Sequence, residues 1–130
     1  MLAGDHAVDF TVELYETASG QPVVEEELLG VKSQTPALYA LLLAGLNKLR
    51  DRAYHGPPFC VSLGDGLFEM RVGREDTARA FWFFRRGRRI VVVRCFVKKS
   101  QKTPLRELEL ARRRMGDYLA REAGDGDGKD

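Results

Sequence analysis

Residues 67–97 read LFEMRV, GREDT, ARAFWFF, RRGR and RIVVVRCFV, and they carry the clearest pattern of secondary structure in the chain. It contains three short apolar runs, rich in β-branched and aromatic residues, which are separated by polar turns that contain Gly and Arg. Runs of this length and composition between turn signals are typical of sequential antiparallel strands. We therefore predict a three-stranded meander with strands over 67–72, 78–84 and 89–97.

The residues on either side of the meander predict one further strand and three helices. Residues 8–15 alternate apolar and polar side chains, the pattern of a half-buried strand. Pro22 suits the start of a short helix that runs to about Leu29 and ends at Gly30. Thr35-Pro36 and Thr103-Pro104 each combine a capping residue with a first-turn proline, so each predicts a helix start. The apolar stripe of the second helix consists of Leu38, Leu41, Leu42, Gly45, Leu46 and Leu49.

These elements predict an α+β fold with the order β-α-α-β-β-β-α. Its twisted, mainly antiparallel sheet would pack against two helices, with a third helix at the C-terminus. Residues 59–63 are expected to form a short extended approach to the meander. We expect one domain over residues 1–123 and a disordered tail over 124–130, because the tail contains mainly Gly and Asp. We further expect one sheet face to be covered and the other to be open to a negatively charged ligand.

The composition excludes several classes of protein. No apolar run approaches the roughly 20 residues of a membrane span, and the N-terminus lacks the features of a signal peptide. Cys60 and Cys95 have no metal-binding or redox spacing, so we expect buried free thiols in a cytoplasmic protein. No familiar hydrolase, metalloprotease or phosphate-loop motif is present, and the Asp-x-Asp of the tail lacks the other parts of a calcium loop. We predict neither a metal nor a cofactor.

The charges are strongly segregated along the chain. Residues 1–30 contain seven acidic residues and no Lys or Arg, whereas residues 71–102 contain eleven basic residues and two acidic ones. This asymmetry predicts a focused positive surface that favours a polyanion. The arginines that flank Gly87 have an alternative explanation, because basic residues also protect strand edges and hairpin turns. That explanation does not extend to Lys98, Lys99 and Lys102, which lie between a strand and a helix.

Cationic side chains on a rigid sheet suit a phosphodiester, because they bind its oxygens and stabilise the extra charge of its transition state. An RNA substrate supplies its own nucleophile, the ribose 2′-hydroxyl. Arg71 and Arg79 lie on neighbouring predicted strands and could converge with Lys98 and Lys102. The alternative for both arginines is an ion pair with Glu69 or another acid. Aromatic residues such as Trp82 could stack on a base, or could simply be core.

Four segments resemble one family: LFEMRV, ARAFWFF, FVKKSQKTP (residues 96–104) and the following ELELARRRM (residues 107–115). Together they are similar to the phage-derived Gp49-like group of HigB/RelE toxins, in the RelE/ParE superfamily, over about Gly66 to Tyr118. The resemblance implies a toxin of a type II toxin–antitoxin module. It also implies metal-independent cleavage of mRNA on the ribosome, and neutralisation by a helix-turn-helix (HigA-like) antitoxin.

The resemblance also implies roles for individual residues. Arg79 matches an arginine early in the middle strand of RelE-like nucleases, and Lys98 or Lys99 matches a basic pair after the last strand. We therefore expect Arg79 and Lys98 to stabilise the phosphorane. The remaining expected site residues are Lys102 for the leaving group, Arg71 and Lys99 for the RNA backbone, and Arg86, Arg88 and Arg89 for further RNA contacts. Many relatives also place a Tyr or His near the scissile phosphate, and no residue of this sequence is assigned to that role. His55, just after the second helix, is kept as a candidate, although an isolated histidine is more often a surface residue, and Tyr118 is expected to pack.

The sequence supports three functions of different classes. The leading hypothesis is a ribosome-dependent mRNA endoribonuclease toxin. A ParE-like inhibitor of DNA gyrase would use the same scaffold without cutting RNA, and fold alone does not distinguish the two. The third hypothesis is a non-catalytic module that binds RNA or protein.

Overall fold

A computed structural model describes residues 9–98 and 102–128 of the chain, with side chains described as far as residue 124. Its sheet has five strands: β1 (Thr11–Leu14), β2 (Cys60–Gly64), β3 (Leu67–Gly73), β4 (Thr77–Arg85) and β5 (Arg89–Lys98). Their spatial order is β1-β5-β4-β3-β2. The helices are α1 (Val23–Gln34), α2 (Pro36–Lys48) and α3 (Leu105–Gly128). Neighbouring strands pair antiparallel except β1 and β5, which are parallel.

The predicted fold class is confirmed, with differences at element boundaries. The segment expected as an extended approach is a fifth strand, β2, whose Cys60–Gly64 backbone pairs with β3. Helix α1 does not end at Gly30 but continues to Gln34. Gly30 costs a helix interior about 1 kcal/mol, but the following Val31 is buried, and tertiary packing of this kind outweighs local propensity. Helix α3 runs to Gly128, through residues that composition assigned to a disordered tail. The division into domain and tail at residue 123 stays a prediction.

Helices α1 and α2 cover one face of the sheet. Leu42 and Leu46 of α2 are buried there, and Gly45 allows the helix to approach the sheet closely. A Cβ atom at Gly45 would lie 2.9 Å from the Cε and Sδ atoms of Met70. The predicted stripe of α2 is confirmed except at Leu41, which is 48% exposed.

Helix α3 covers the opposite face, so the expectation of one open face is wrong. Ala111 of α3 is fully buried, and the Tyr118 ring packs edge-on against Phe83 of β4 at a centroid distance of 5.6 Å. Seven consecutive residues of β4, from Thr77 to Phe83, are buried, as a central strand covered on both sides requires. The aromatic side chains of Phe81, Trp82 and Phe83 are therefore core, whereas Phe84 is 39% exposed.

Both cysteines are buried free thiols, as predicted. Burial raises the pKa of Cys60 to about 11 and also raises the pKa of Cys95, so neither thiol is a nucleophile at neutral pH. In the described part of the chain, no helix is both long and apolar enough to cross a membrane.

Candidate functional site

Arg79 lies at the centre of a buried polar cluster beneath the start of α3. Its side chain has no exposed surface, although the sequence predicted a phosphate ligand there. Nη1 of Arg79 donates to the Lys102 carbonyl at 2.9 Å, and Nε donates to the Thr77 hydroxyl at 3.3 Å. Burial and the positive charge of Arg71 lower the pKa of Arg79, while Glu69 opposes that shift. In this conformation Arg79 holds backbone and side-chain groups of the protein and does not reach solvent.

Glu69 pairs with both predicted catalytic arginines. Arg71 and Arg79 are cross-strand neighbours on β3 and β4 and share one face of the sheet. Glu69 accepts from Nη2 of Arg71 at 3.1 Å and lies 3.6 Å from Nη1 of Arg79. The alternative interpretation of these arginines as partners of Glu69 is confirmed. Arg71 differs from Arg79 in one respect, because 30% of its side chain is exposed.

The basic segment after β5 is described at its two ends, which we call the linker ends: Lys98 on one side, and Lys102 to Pro104 on the other. The Lys98 side is held by the Thr77 hydroxyl, which donates to the Lys98 carbonyl at 2.9 Å. At the second linker end, the Thr103 hydroxyl donates to Glu69 at 3.1 Å. Lys98 is half-buried and Lys102 is exposed. Lys99, which was expected to hold RNA backbone, lies outside the described residues.

The structure therefore brings Arg71, Arg79, Lys98 and Lys102 together and places the hairpin arginines elsewhere. Arg86, Arg88 and Arg89 lie at the far end of β4, a nine-residue strand that spans roughly 26 Å at about 3.3 Å per residue. Of these three, Arg86 and Arg88 are exposed, and Arg88 lies 3.1 Å from Asp9. The predicted RNA-binding arginines of the hairpin therefore do not form one site with the predicted catalytic residues.

Arg89 is engaged on the face that α3 covers. It contacts Glu13 at 3.2 Å, Tyr118 at 2.9 Å and Glu122 at 2.8 Å. Its hydrogen bonds to Glu122 raise its pKa further above the ordinary value. The guanidinium is thus part of the packing between β1, β5 and α3.

Acidic residues from both ends of the chain neutralise much of the basic meander. Arg94 contacts Glu27 of α1 at 2.9 Å and Glu107 of α3 at 2.7 Å. Burial alone would lower the pKa of Arg94, but its bonds to Glu107 and Glu27 outweigh that effect and raise it. Arg85 pairs in the same way with Glu122 of α3. The separation of acidic and basic residues along the sequence therefore does not produce separate acidic and basic surfaces. The sheet face that was expected to be cationic is instead covered by α3 and lined by ion pairs.

Neither of the side chains considered for acid–base chemistry lies at the linker ends. The Nε2 atom of His55 lies 2.6 Å from the Leu49 carbonyl, and its ring packs against Phe84 on the face that α1 and α2 cover. Tyr118 bonds to Glu13 and Arg89, and burial together with the charge of Glu13 raises the pKa of its hydroxyl. Tyr118 packs, as predicted, and the general base remains unassigned.

A cavity of about 550 Å³ opens beside β1, and its lining residues Glu13 and Tyr118 both contact Arg89. Its charged lining is mostly acidic, with Glu13, Glu16 and Glu25 against the single Arg121. Such a lining repels RNA phosphates. The linker ends are accordingly the better candidate for an RNA interface.

Sequence reasoning missed Thr77 and Thr103 and treated Glu69 only as a possible ion-pair partner. Both threonines sit at element boundaries, where a hydroxyl usually signals a turn or a cap. Thr103 uses its hydroxyl for Glu69 instead. The available signal was the alternation of β3, which places Glu69 on the same face as Arg71 and opposite Phe81 of β4.

Comparison with known families gives one finding that bears on this site. Residues 31–116, about two thirds of the chain, match the family model described as phage-derived protein Gp49-like (DUF891). That interval includes α2, the whole meander, both linker ends and the first half of α3. The comparison with curated proteins found no match.

Proposed function

The chain belongs to the phage-derived Gp49-like family, a family of RelE/ParE-type toxins, and from this premise we propose that it is a ribosome-dependent mRNA endoribonuclease. Its partners would be the ribosome, mRNA and a helix-turn-helix antitoxin of the HigA type. The observation that carries the proposal is the cationic pair Lys98 and Lys102 at one end of a rigid sheet. The backbone carbonyls of these two lysines accept hydrogen bonds from Thr77 and Arg79.

The proposed reaction uses the substrate's own hydroxyl. The 2′-oxygen attacks the adjacent phosphorus, the bond from phosphorus to the 5′-oxygen breaks, and the products are a 2′,3′-cyclic phosphate and a 5′-hydroxyl. The proton of the 2′-hydroxyl leaves to a base, and the 5′-oxygen gains a proton. Lys98 would stabilise the charge on the phosphorane, and Lys102 would stabilise the leaving oxygen.

The remaining predicted site residues take supporting roles in this proposal. Arg71 is partly exposed and would hold the RNA backbone beside Lys99. Arg79 is buried, so we propose that it acts by fixing the Lys102 carbonyl and not by touching phosphate. Arg86, Arg88 and Arg89 would contact RNA beyond the scissile phosphate, with exposed Arg86 the best placed.

The experiment is induction of the chain alone in a bacterial host, followed by mapping of mRNA 5′ ends. The test variant is the double substitution K98A/K102A. The matched control is K32A/K48A, which removes the same charge from exposed positions on α1 and α2. We expect growth arrest and new in-frame cuts in the wild type and the control, and neither in the test variant.

The other outcomes separate the alternative functions. Growth arrest with DNA damage signalling and intact mRNA would indicate a gyrase inhibitor and not a nuclease. Harmless induction of the stable wild-type protein would leave a binding module. Either result would contradict the proposed cleavage.

A further inference from the structure

The buried polar side chains of this fold are concentrated at one place. Among the described side chains (residues 9–98 and 102–124), and apart from cysteine, tyrosine and tryptophan, those that are buried and polar or charged belong to Glu69, Thr77 and Arg79. Burying such groups is unfavourable unless each finds a hydrogen-bonding partner. Their partners therefore indicate what the cluster does.

Each member of this cluster binds a linker end. Thr77 donates to the Lys98 carbonyl, Arg79 donates to the Lys102 carbonyl, and Glu69 accepts from the Thr103 hydroxyl. The three bonds measure 2.9, 2.9 and 3.1 Å. They hold the segment on both sides, at its departure from β5 and at its return to α3.

The members also bind one another. Arg79 donates to Thr77 at 3.3 Å and lies 3.6 Å from Glu69. A connected network of this kind fixes its members more strongly than isolated pairs do, because each bond orients the next group. Hydrogen bonds thereby anchor both linker ends to β3 and β4, two interior strands of the sheet.

We propose that Glu69, Thr77 and Thr103 are positioning residues, which together with Arg79 fix the two linker ends so that Lys98 and Lys102 present their ammonium groups at one RNA phosphate. We call Glu69, Thr77, Arg79 and Thr103 the clamp. The inference rests on the proposed function for its substrate, but the clamp itself rests only on the hydrogen bonds and distances given above. Removing the clamp leaves both lysines and their charges in place and takes away their fixed geometry. Catalysis depends on such preorganisation, so cleavage falls more than RNA binding does.

The test uses the near-isosteric variants T77V and T103V, alone and combined, in the full chain. The conservative variants T77S and T103S keep the hydroxyls, and T11V, at an exposed position of β1, is the matched control. Two quantities are measured. The first is cleavage of mRNA on programmed ribosomes, resolved into kcat and KM. The second is amide hydrogen exchange by NMR of Lys98 at the end of β5, and of Glu107 and Leu108, whose N–H groups donate to the Pro104 carbonyl at the second linker end.

We expect T77V/T103V to lower kcat at least tenfold with KM nearly unchanged, and to accelerate amide exchange at the linker ends about tenfold. Both serine variants and T11V should match the wild type in both measurements. Unchanged exchange in T77V/T103V, or cleavage equal to the wild type, would overturn the proposal. A loss of kcat that the serine variants do not restore would also overturn it.

The two measurements keep this inference separate from the proposed function. If the wild-type chain cuts no RNA, the nuclease assignment fails, while the exchange rates still decide whether the clamp exists. If the wild type cuts RNA and the exchange rates are unaffected by T77V/T103V, the nuclease stands and the clamp fails.

Discussion

Replacing Arg79 by Met should destabilise the protein substantially, although an exposed catalytic arginine could be replaced at little cost. R79M removes a fully buried guanidinium and its bonds to Thr77 and Lys102, and leaves the Glu69 carboxylate at 3% exposure. Breaking a buried pair by deleting one partner costs about 3–5 kcal/mol. Glu69 keeps Arg71 and Thr103, so we expect the lower end of that range, roughly 3 kcal/mol.

Urea denaturation followed by circular dichroism measures this change. With a slope of about 2 kcal/mol per molar urea, the midpoint of R79M should fall by roughly 1.5 M at unchanged slope. The matched control is R86M on the exposed hairpin turn, which should stay within about 0.5 kcal/mol of the wild type. A loss below about 1 kcal/mol in R79M would refute the buried clamp and would return Arg79 to the surface role expected from sequence.

Two further predictions concern backbone strain and acid stability. Gly73 has φ +99°, and a Cβ atom there would lie 2.5 Å from the Asp76 carbonyl oxygen, whereas a Cβ atom at Gly30 meets nothing within 4 Å. Thermal melts should therefore show G73A destabilised by about 1–3 kcal/mol and G30A stabilised by about 0.5–1 kcal/mol; equal shifts would contradict the assigned geometry. Hydrogen bonds from Arg89 and Arg85 lower the pKa of Glu122 below its unfolded value, so the unfolded chain binds more protons as pH falls below about 4.5 and stability is lost there. E122Q should reduce the fall in the free energy of unfolding between neutral pH and pH 3. An unchanged fall in E122Q would show that the Glu122 carboxylate does not hold α3 against the sheet.

The sheet was predictable because its signals are local. The strands of the meander are recognisable as short apolar runs between turns, whereas the expectation of one open sheet face was wrong for the strand around Trp82. The end of α1 was not predictable in this way, because Gly30 favours a stop while Val31 is buried as α1 packs against β5, which lies far along the chain.

The sequence predicted which residues meet in the candidate site better than it predicted their burial and their partners. Cross-strand placement brings Arg71 and Arg79 together, as expected from neighbouring strands. The complete burial of Arg79 was not predictable, because Lys102, whose carbonyl it binds, lies 23 residues away, and Thr103 lies 34 residues from its partner Glu69. The bond between Arg88 and Asp9 joins residues 79 apart in sequence, so the net charge of a segment says little about the charge of a surface.

The central claim is that the linker ends, and not the arginine-rich hairpin, carry the cleavage chemistry. The most direct test compares K98A/K102A with R86A/R88A, two variants with the same loss of charge at opposite ends of the sheet, by mapping mRNA 5′ ends after induction. We expect in-frame cuts to disappear in K98A/K102A and to persist in R86A/R88A. Persistent cuts in K98A/K102A together with their loss in R86A/R88A would contradict the central claim.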